Sequence, residues 1–225
     1  MGSEMCIRDR IEIVVIIAVI AILAAVLTPL VIKYIGDAKV NRAQAETKSI
    51  AATVMKLYSD TGKWPFTDKN GPAANPGRDR VLSDPDHVPT GAGSGAGSGA
   101  ANWGTYGNTK PLYDYLFYNN PDDDSDPSGA NQNQTDEDYP TTGRLAWKGP
   151  YIEKPTITDP WGNSYVINAR YFPGNPRYTG TATHTVFVLS AGPNGTWETP
   201  FDDSVGAPDE EIKGDDIGWV ITMSK

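Results

Sequence analysis

Between Ile11 and Ile32 the chain reads I-E-I-V-V-I-I-A-V-I-A-I-L-A-A-V-L-T-P-L-V-I, an apolar run with one acid, Glu12, near its start and one proline, Pro29, near its end. At about 1.5 Å per residue, Ile13 to Ile32 is long enough to cross a hydrocarbon core of roughly 30 Å. The first expectation is therefore membrane insertion of residues 11–32. Neither Glu12 nor Pro29 suits a bare anchor. A carboxylate costs roughly 2.5 to 3.5 kcal/mol near the centre of a membrane helix, less at its end, and such a residue usually has a partner. A proline removes a helix hydrogen bond and strains the preceding turn, at about 3 kcal/mol in a helix interior. The pair points to a helix that does something besides span.

The stretch I-E-I-V-V-I-I-A-V-I-A-I-L-A-A-V-L-T-P-L resembles the N-terminal segment of type IV pilins and of the pseudopilins of type II secretion, whose helices pack into the core of a filament. The resemblance implies that Glu12 meets the free N-terminal amine of a neighbouring subunit during assembly. Its distance to Pro29, seventeen residues, fits that pattern. A plain membrane anchor or an uncleaved signal peptide is the competing reading. Residues 1–10, M-G-S-E-M-C-I-R-D-R, depart from the family: Ile7 stands where a prepilin leader ends in Gly, and Arg8, Asp9 and Arg10 replace the first mature residues. They read as a leader remnant or artefact, or as an unprocessed anchor whose arginines supply cytoplasmic positive charge.

At 225 residues there is room for one soluble domain beyond the membrane segment, and 23 glycines with 18 prolines predict a remainder rich in loops and turns. The net charge of −9 falls outside residues 1–40, where Arg8, Arg10, Lys33 and Lys39 balance Glu4, Asp9, Glu12 and Asp37. So acidic a surface is poorly matched to nucleic acid, and no nucleic-acid partner is expected. It suits divalent cations or solubility. The single cysteine, Cys6, excludes an intrachain disulfide.

Beyond Ile32 the pattern becomes amphipathic. Ile50, Val54, Leu57 and Tyr58 recur at helical spacing, with Asn41, Arg42, Glu46, Lys48 and Lys56 on the wet face and alanines that allow close approach. Residues 33–62 thus continue the helix. Gly62 is expected to cap it in a left-handed conformation, just before Pro65. One helix from about Ile11 to Thr61 would be on the order of 75 Å long. In a filament the segment Ala21 to Leu30 is expected to lose helical structure, whereas in a membrane it stays helical or merely kinks.

Residues 63–143 lose periodicity. Thr90 to Ala101 resembles a flexible linker, and Pro111 to Tyr118, P-L-Y-D-Y-L-F-Y, predicts a short aromatic helix or strand or an exposed sticky patch. Asp122, Asp124 and Asp126 alternate like calcium-loop ligands, but Pro127 and Asn133 occupy the positions of the turn glycine and the bidentate Glu, so an EF-hand fails. Asn133-Gln134-Thr135 and Asn194-Gly195-Thr196 fit the glycosylation sequon.

In residues 144–225, W-K-G-P-Y-I-E-K-P-T-I-T-D-P-W-G-N-S-Y resembles a segment of the major pseudopilins, and Asp159-Pro160-Trp161-Gly162-Asn163 has the make-up of a turn. Strands are predicted over Ser164 to Phe172, Thr183 to Ser190 and Asp216 to Met223. In the last, Ile217, Trp219, Ile221 and Met223 would form one apolar face against the helix. The predicted fold class is α+β: a long N-terminal helix packed on a C-terminal antiparallel sheet with long loops, the pilin fold. The loop S-A-G-P-N-G … G-D-D-I-G-W resembles the calcium loop of major pseudopilins. The resemblance implies that Ala191 offers its carbonyl, that Asn194 stands where the family has Asp, and that Asp215 and Asp216 form the acidic pair. Asp202 and Asp203 compete for that role. Calcium takes 6 to 8 oxygen ligands, and a neutral Asn lowers the charge of such a site.

Three functions stand against one another. A structural subunit would be held in the inner membrane and then extracted by assembly machinery into a homopolymeric helical filament, either a secretion pseudopilus or a surface pilus. A minor adhesive tip subunit or membrane-tethered binding module would instead use the aromatic and Asp/Asn-rich middle. A tethered enzyme is not expected, because His87 and His184, the two histidines, lack a recognisable nucleophile or metal-ligand spacing.

Overall fold

The computed structural model describes residues 2–66, 79–89, 103, 109–121, 139–181, 183–201 and 212–223; of residues 2–11 and 109 it describes the backbone alone. The chain divides into two units, Met1–Asn41 and Arg42–Lys225.

The helix α1 (Gly2–Thr61) is unbroken and includes Pro29. In the first unit it carries a stretch long and apolar enough to cross a membrane, none of it buried. From Arg42 onward α1 belongs to an α+β unit with its own core. There Ala43, Thr47, Ile50, Ala51, Val54 and Leu57 are buried, a stripe at helical spacing that includes the expected Ile50, Val54 and Leu57. Two of the predicted alanines, Ala43 and Ala51, make that stripe narrow enough for close packing. Tyr58 stays partly exposed but stacks on Trp64, centroids 4.0 Å apart, and Trp64 stacks on Phe172 at 4.8 Å. Gly62 ends the helix at a φ of 72° and donates its N–H to the Tyr58 carbonyl at 2.7 Å, as the sequence predicts.

Five strands, β1 (Arg80–Leu82), β2 (Thr109–Pro111), β3 (Val166–Ile167), β4 (Thr185–Ser190) and β5 (Ile217–Met223), form one sheet in the order β2-β1-β3-β4-β5. The sheet is mixed, not purely antiparallel: β1 and β2 pair in parallel, and the other pairs are antiparallel. Pro111 can lie in β2 because, among the described residues, β2 is at the edge of the sheet. The core strand β4, T-V-F-V-L-S, is buried on both faces and so reads as a continuous apolar run.

The predicted strand from Ser164 to Phe172 reduces to Val166–Ile167. Asn168 ends it by replacing main-chain pairing with its own carboxamide: Nδ2 donates to the Thr185 carbonyl at 2.8 Å, and Oδ1 accepts the Phe187 N–H at 2.9 Å. The chain then turns through a 3-10 turn at Ala169–Tyr171. The predicted face of β5 is also only half realised. Ile217 and Ile221 are buried, whereas Trp219 and Met223 are 46% and 60% exposed. A bulge interrupts the β4–β5 register between Val186 and Phe187, and among the described residues β5 has no strand beyond it. Lys48 of α1 holds its ammonium 4.8 Å from the Trp219 ring centroid.

Within Pro111 to Tyr118, a π-helical turn at Asp114–Tyr118 follows β2 and buries Tyr115 and Leu116. Trp103, from the stretch read as loop, is fully buried against Trp197 and Phe201, with Nε1 donating to the Thr199 carbonyl at 2.7 Å. The linker Thr90 to Ala101, the alternating Asp122, Asp124 and Asp126, and Asn133 lie outside the described residues.

Candidate functional site

Two groups of residues were singled out by sequence. Glu12 and Pro29 stand on the exposed part of α1. Between them Ile13, Val14, Val15, Ile16 and Ile17 and their successors through Leu27 are exposed on every side of the helix. Pro29 has no N–H to give, so the carbonyl of Ala25 loses its helical donor. One residue away, Thr28 Oγ1 donates to the Ala24 carbonyl at 2.7 Å, a back-bond that competes with regular helix geometry. The turn between Ala24 and Pro29 is therefore the least supported in this part of α1, although its backbone is helical.

The second group lies where β4 leaves the sheet and β5 enters it. Ser190 Oγ donates to Asp159 Oδ2 at 2.7 Å and accepts the Gly192 N–H at 3.2 Å, which ties the loop to the Asp159–Asn163 turn. That turn forms as its composition predicts: Asp159 Oδ1 accepts the N–H groups of Trp161 and Asn163, and Gly162 takes a φ of 91°. Ala191 is fully buried. Gly192 has a φ of 61°, and a Cβ there would lie 2.1 Å from the Asp215 carbonyl oxygen, so only glycine lets the two loop ends approach.

The structure joins Asn194 to Asp215 and turns Asp216 toward residues 198 and 199. Asp215 Oδ2 accepts the Asn194 N–H at 3.0 Å, whereas the Asn194 side-chain oxygen is turned back on the Thr196 N–H at 2.7 Å. Asp216 Oδ2 accepts the N–H groups of Glu198 and Thr199 at 2.9 and 2.6 Å. Burial pushes the Asp216 carboxyl up to about 6, against the downward pull of the Thr199 and Glu198 hydrogen bonds. The second carboxylate oxygens, Asp215 Oδ1 and Asp216 Oδ1, are buried and have no hydrogen-bond partner among the described residues. Such oxygen-only donors suit a hard cation, whose charge would act on Asp216 in the opposite sense to burial. Among the described residues no three His, Cys, Asp or Glu side chains gather as a metal cluster. The competing pair Asp202 and Asp203 lies outside the described residues.

Glu198 belongs to this group and was not singled out by sequence. Its Oε2 accepts the Asp215 N–H at 2.8 Å. Nothing in T-W-E-T-P marks it, because its place depends on residues distant in sequence: Lys213 N–H donates to Thr199 Oγ1 at 3.0 Å and brings Asp215 to Glu198. The histidines are elsewhere: His184 is buried and stacks on Tyr171 at 4.1 Å, as a packing residue, and His87 Nδ1 pairs with Asp84 Oδ2 at 2.9 Å.

No protein-family model matches this sequence, and comparison with curated proteins and with solved structures finds no match to it.

Proposed function

We propose that the chain is the structural subunit of a type IV pilus-like helical filament, held in the inner membrane by α1 before assembly. The observation that carries this reading is a single helix whose first part is apolar on all sides and whose last part, from Arg42, is packed on a sheet. Apolar burial among neighbouring helices would supply most of the affinity. Glu12, desolvated in such a core, favours the neighbour that neutralises it and so sets axial register. Secretion pseudopilus and surface pilus are both members of this class.

The test is expression of the full chain and of Glu12→Leu with the assembly machinery, followed by electron microscopy of sheared surface material and membrane fractionation. The wild type is expected to form filaments, and the variant to remain in the membrane without them. Filaments from Glu12→Leu at wild-type yield would overturn the role given to Glu12. An adhesive tip subunit would instead be recovered in few copies per filament.

The loop reading joins this proposal as a calcium site that fixes the acidic loop. Asp215 Oδ1 and Asp216 Oδ1 are the oxygens that fit, and calcium would supply the positive charge that their buried positions lack. At calcium about a hundred times its Kd, the gain in stability is about 2.7 kcal/mol. The melting temperature should therefore fall on chelation with EGTA and recover with calcium; an unchanged value removes the cation from the reading.

A further inference from the structure

We propose that Glu198 positions the Asp215–Asp216 pair for a divalent cation, acting through the main chain and not as a ligand itself. The inference rests on the cation reading above. Two contacts carry it. The Glu198 carboxylate accepts the Asp215 N–H at 2.8 Å, and the Glu198 N–H donates to Asp216 Oδ2 at 2.9 Å. One residue thus grips both members of the pair, the first by its amide and the second by its carboxylate. Both grips leave the Oδ1 atoms without a donor, and Asp216, which carries one of them, is only 8% exposed.

Gly214 makes the arrangement possible. It takes a φ of 66°, and a Cβ on it would fall 1.4 Å from Glu198 Oε2, so any side chain at 214 would displace the carboxylate. The Glu198 side chain is therefore packed into the space a glycine leaves, against the peptide that launches the pair. Its Oε2 is already engaged by an amide. An oxygen spent on the Asp215 amide orients the pair through its main chain, which is the place of a residue behind the ligands.

Calcium titration of the full chain in a nonionic detergent, by calorimetry with calcium chloride, separates the outcomes. Glu198→Ala should bind about tenfold or more weakly, as losses behind a metal's ligands generally do. Glu198→Gln should bind within about threefold of wild type, since its amide oxygen can accept the same N–H. Glu198→Asp keeps the charge but is one methylene shorter; it should weaken binding about as much as Glu198→Ala. The cation-free melting temperature of the Gln and Asp variants checks that both fold. Wild-type affinity in Glu198→Ala, or a Gln variant as weak as the Ala variant, would overturn the positioning role. No calcium binding by the wild type would overturn the cation reading itself.

Discussion

Asn168 shows how one side chain can decide where a strand stops. Its carboxamide fills both a donor and an acceptor position opposite β4, so the main chain is released to turn while the Phe187 N–H and the Thr185 carbonyl remain satisfied. Removing it leaves the buried Phe187 N–H without its acceptor, at roughly 1 to 3 kcal/mol, and takes a donor from the half-buried Thr185 carbonyl. Asn168→Ala should therefore lower the unfolding free energy by about 1 to 3 kcal/mol, seen in urea as a lower midpoint at unchanged slope. A change below about 0.5 kcal/mol, the range of an ordinary surface substitution, would show that water or a relaxed chain replaces the amide. The sequence S-Y-V-I-N-A-R-Y-F carries no mark of this substitution, because the partner groups lie on a strand that begins more than fifteen residues later. Glu198 is hidden for the same reason: its chemistry is ordinary, and only the return of the chain at Asp215 gives it a task.

At the scale of elements, legibility follows length and periodicity. The helix, its buried stripe and its cap at Gly62 were readable because the signal repeats over many turns. The cores of β4 and β5 were readable from their β-branched runs. Three-residue strands such as β1 and β2 offer no period, and their parallel pairing joins distant segments, so they were missed. The β5 bulge is likewise a property of the pair and not of either strand. The buried helical stripe gives a direct test. Leu57 is fully buried in the common core of helix and sheet. Leu57→Ala should cost about 2 to 5 kcal/mol, the usual range for a core leucine, while Ser59→Ala, exposed two residues on, should change stability by less than about 0.5 kcal/mol. Equal, small losses for both in thermal unfolding would mean that α1 does not share that core.

For the unit Arg42–Lys225 as a whole, the end of α1 is held by charge as well as by apolar packing. Asp60 Oδ1 accepts from Lys148 Nζ at 2.9 Å, its Oδ2 accepts from the Tyr151 hydroxyl at 3.1 Å, and Lys56 lies 3.7 Å away. These contacts join the last turn of the helix to the segment Trp147–Tyr151, whose indole in turn donates to the Tyr115 carbonyl. Chiefly through Lys148, they hold the Asp60 carboxyl below its ordinary value of 3.8. A carboxyl with a depressed folded value stabilises the fold above its unfolded value, and that contribution is lost as pH falls through the folded value. An acidic chain also changes its overall self-repulsion as it titrates, which would mask one group's effect in the wild type alone. Comparison with Asp60→Asn removes most of that background, since the two proteins differ by one titrating site. The wild type should melt higher than Asp60→Asn at neutral pH, and the gap should close as pH is lowered below 3.8. Differential scanning calorimetry of both proteins from neutral to strongly acidic pH measures it. A gap that stays constant across that range would mean that packing around residue 60, and not its charge, secures the end of the helix.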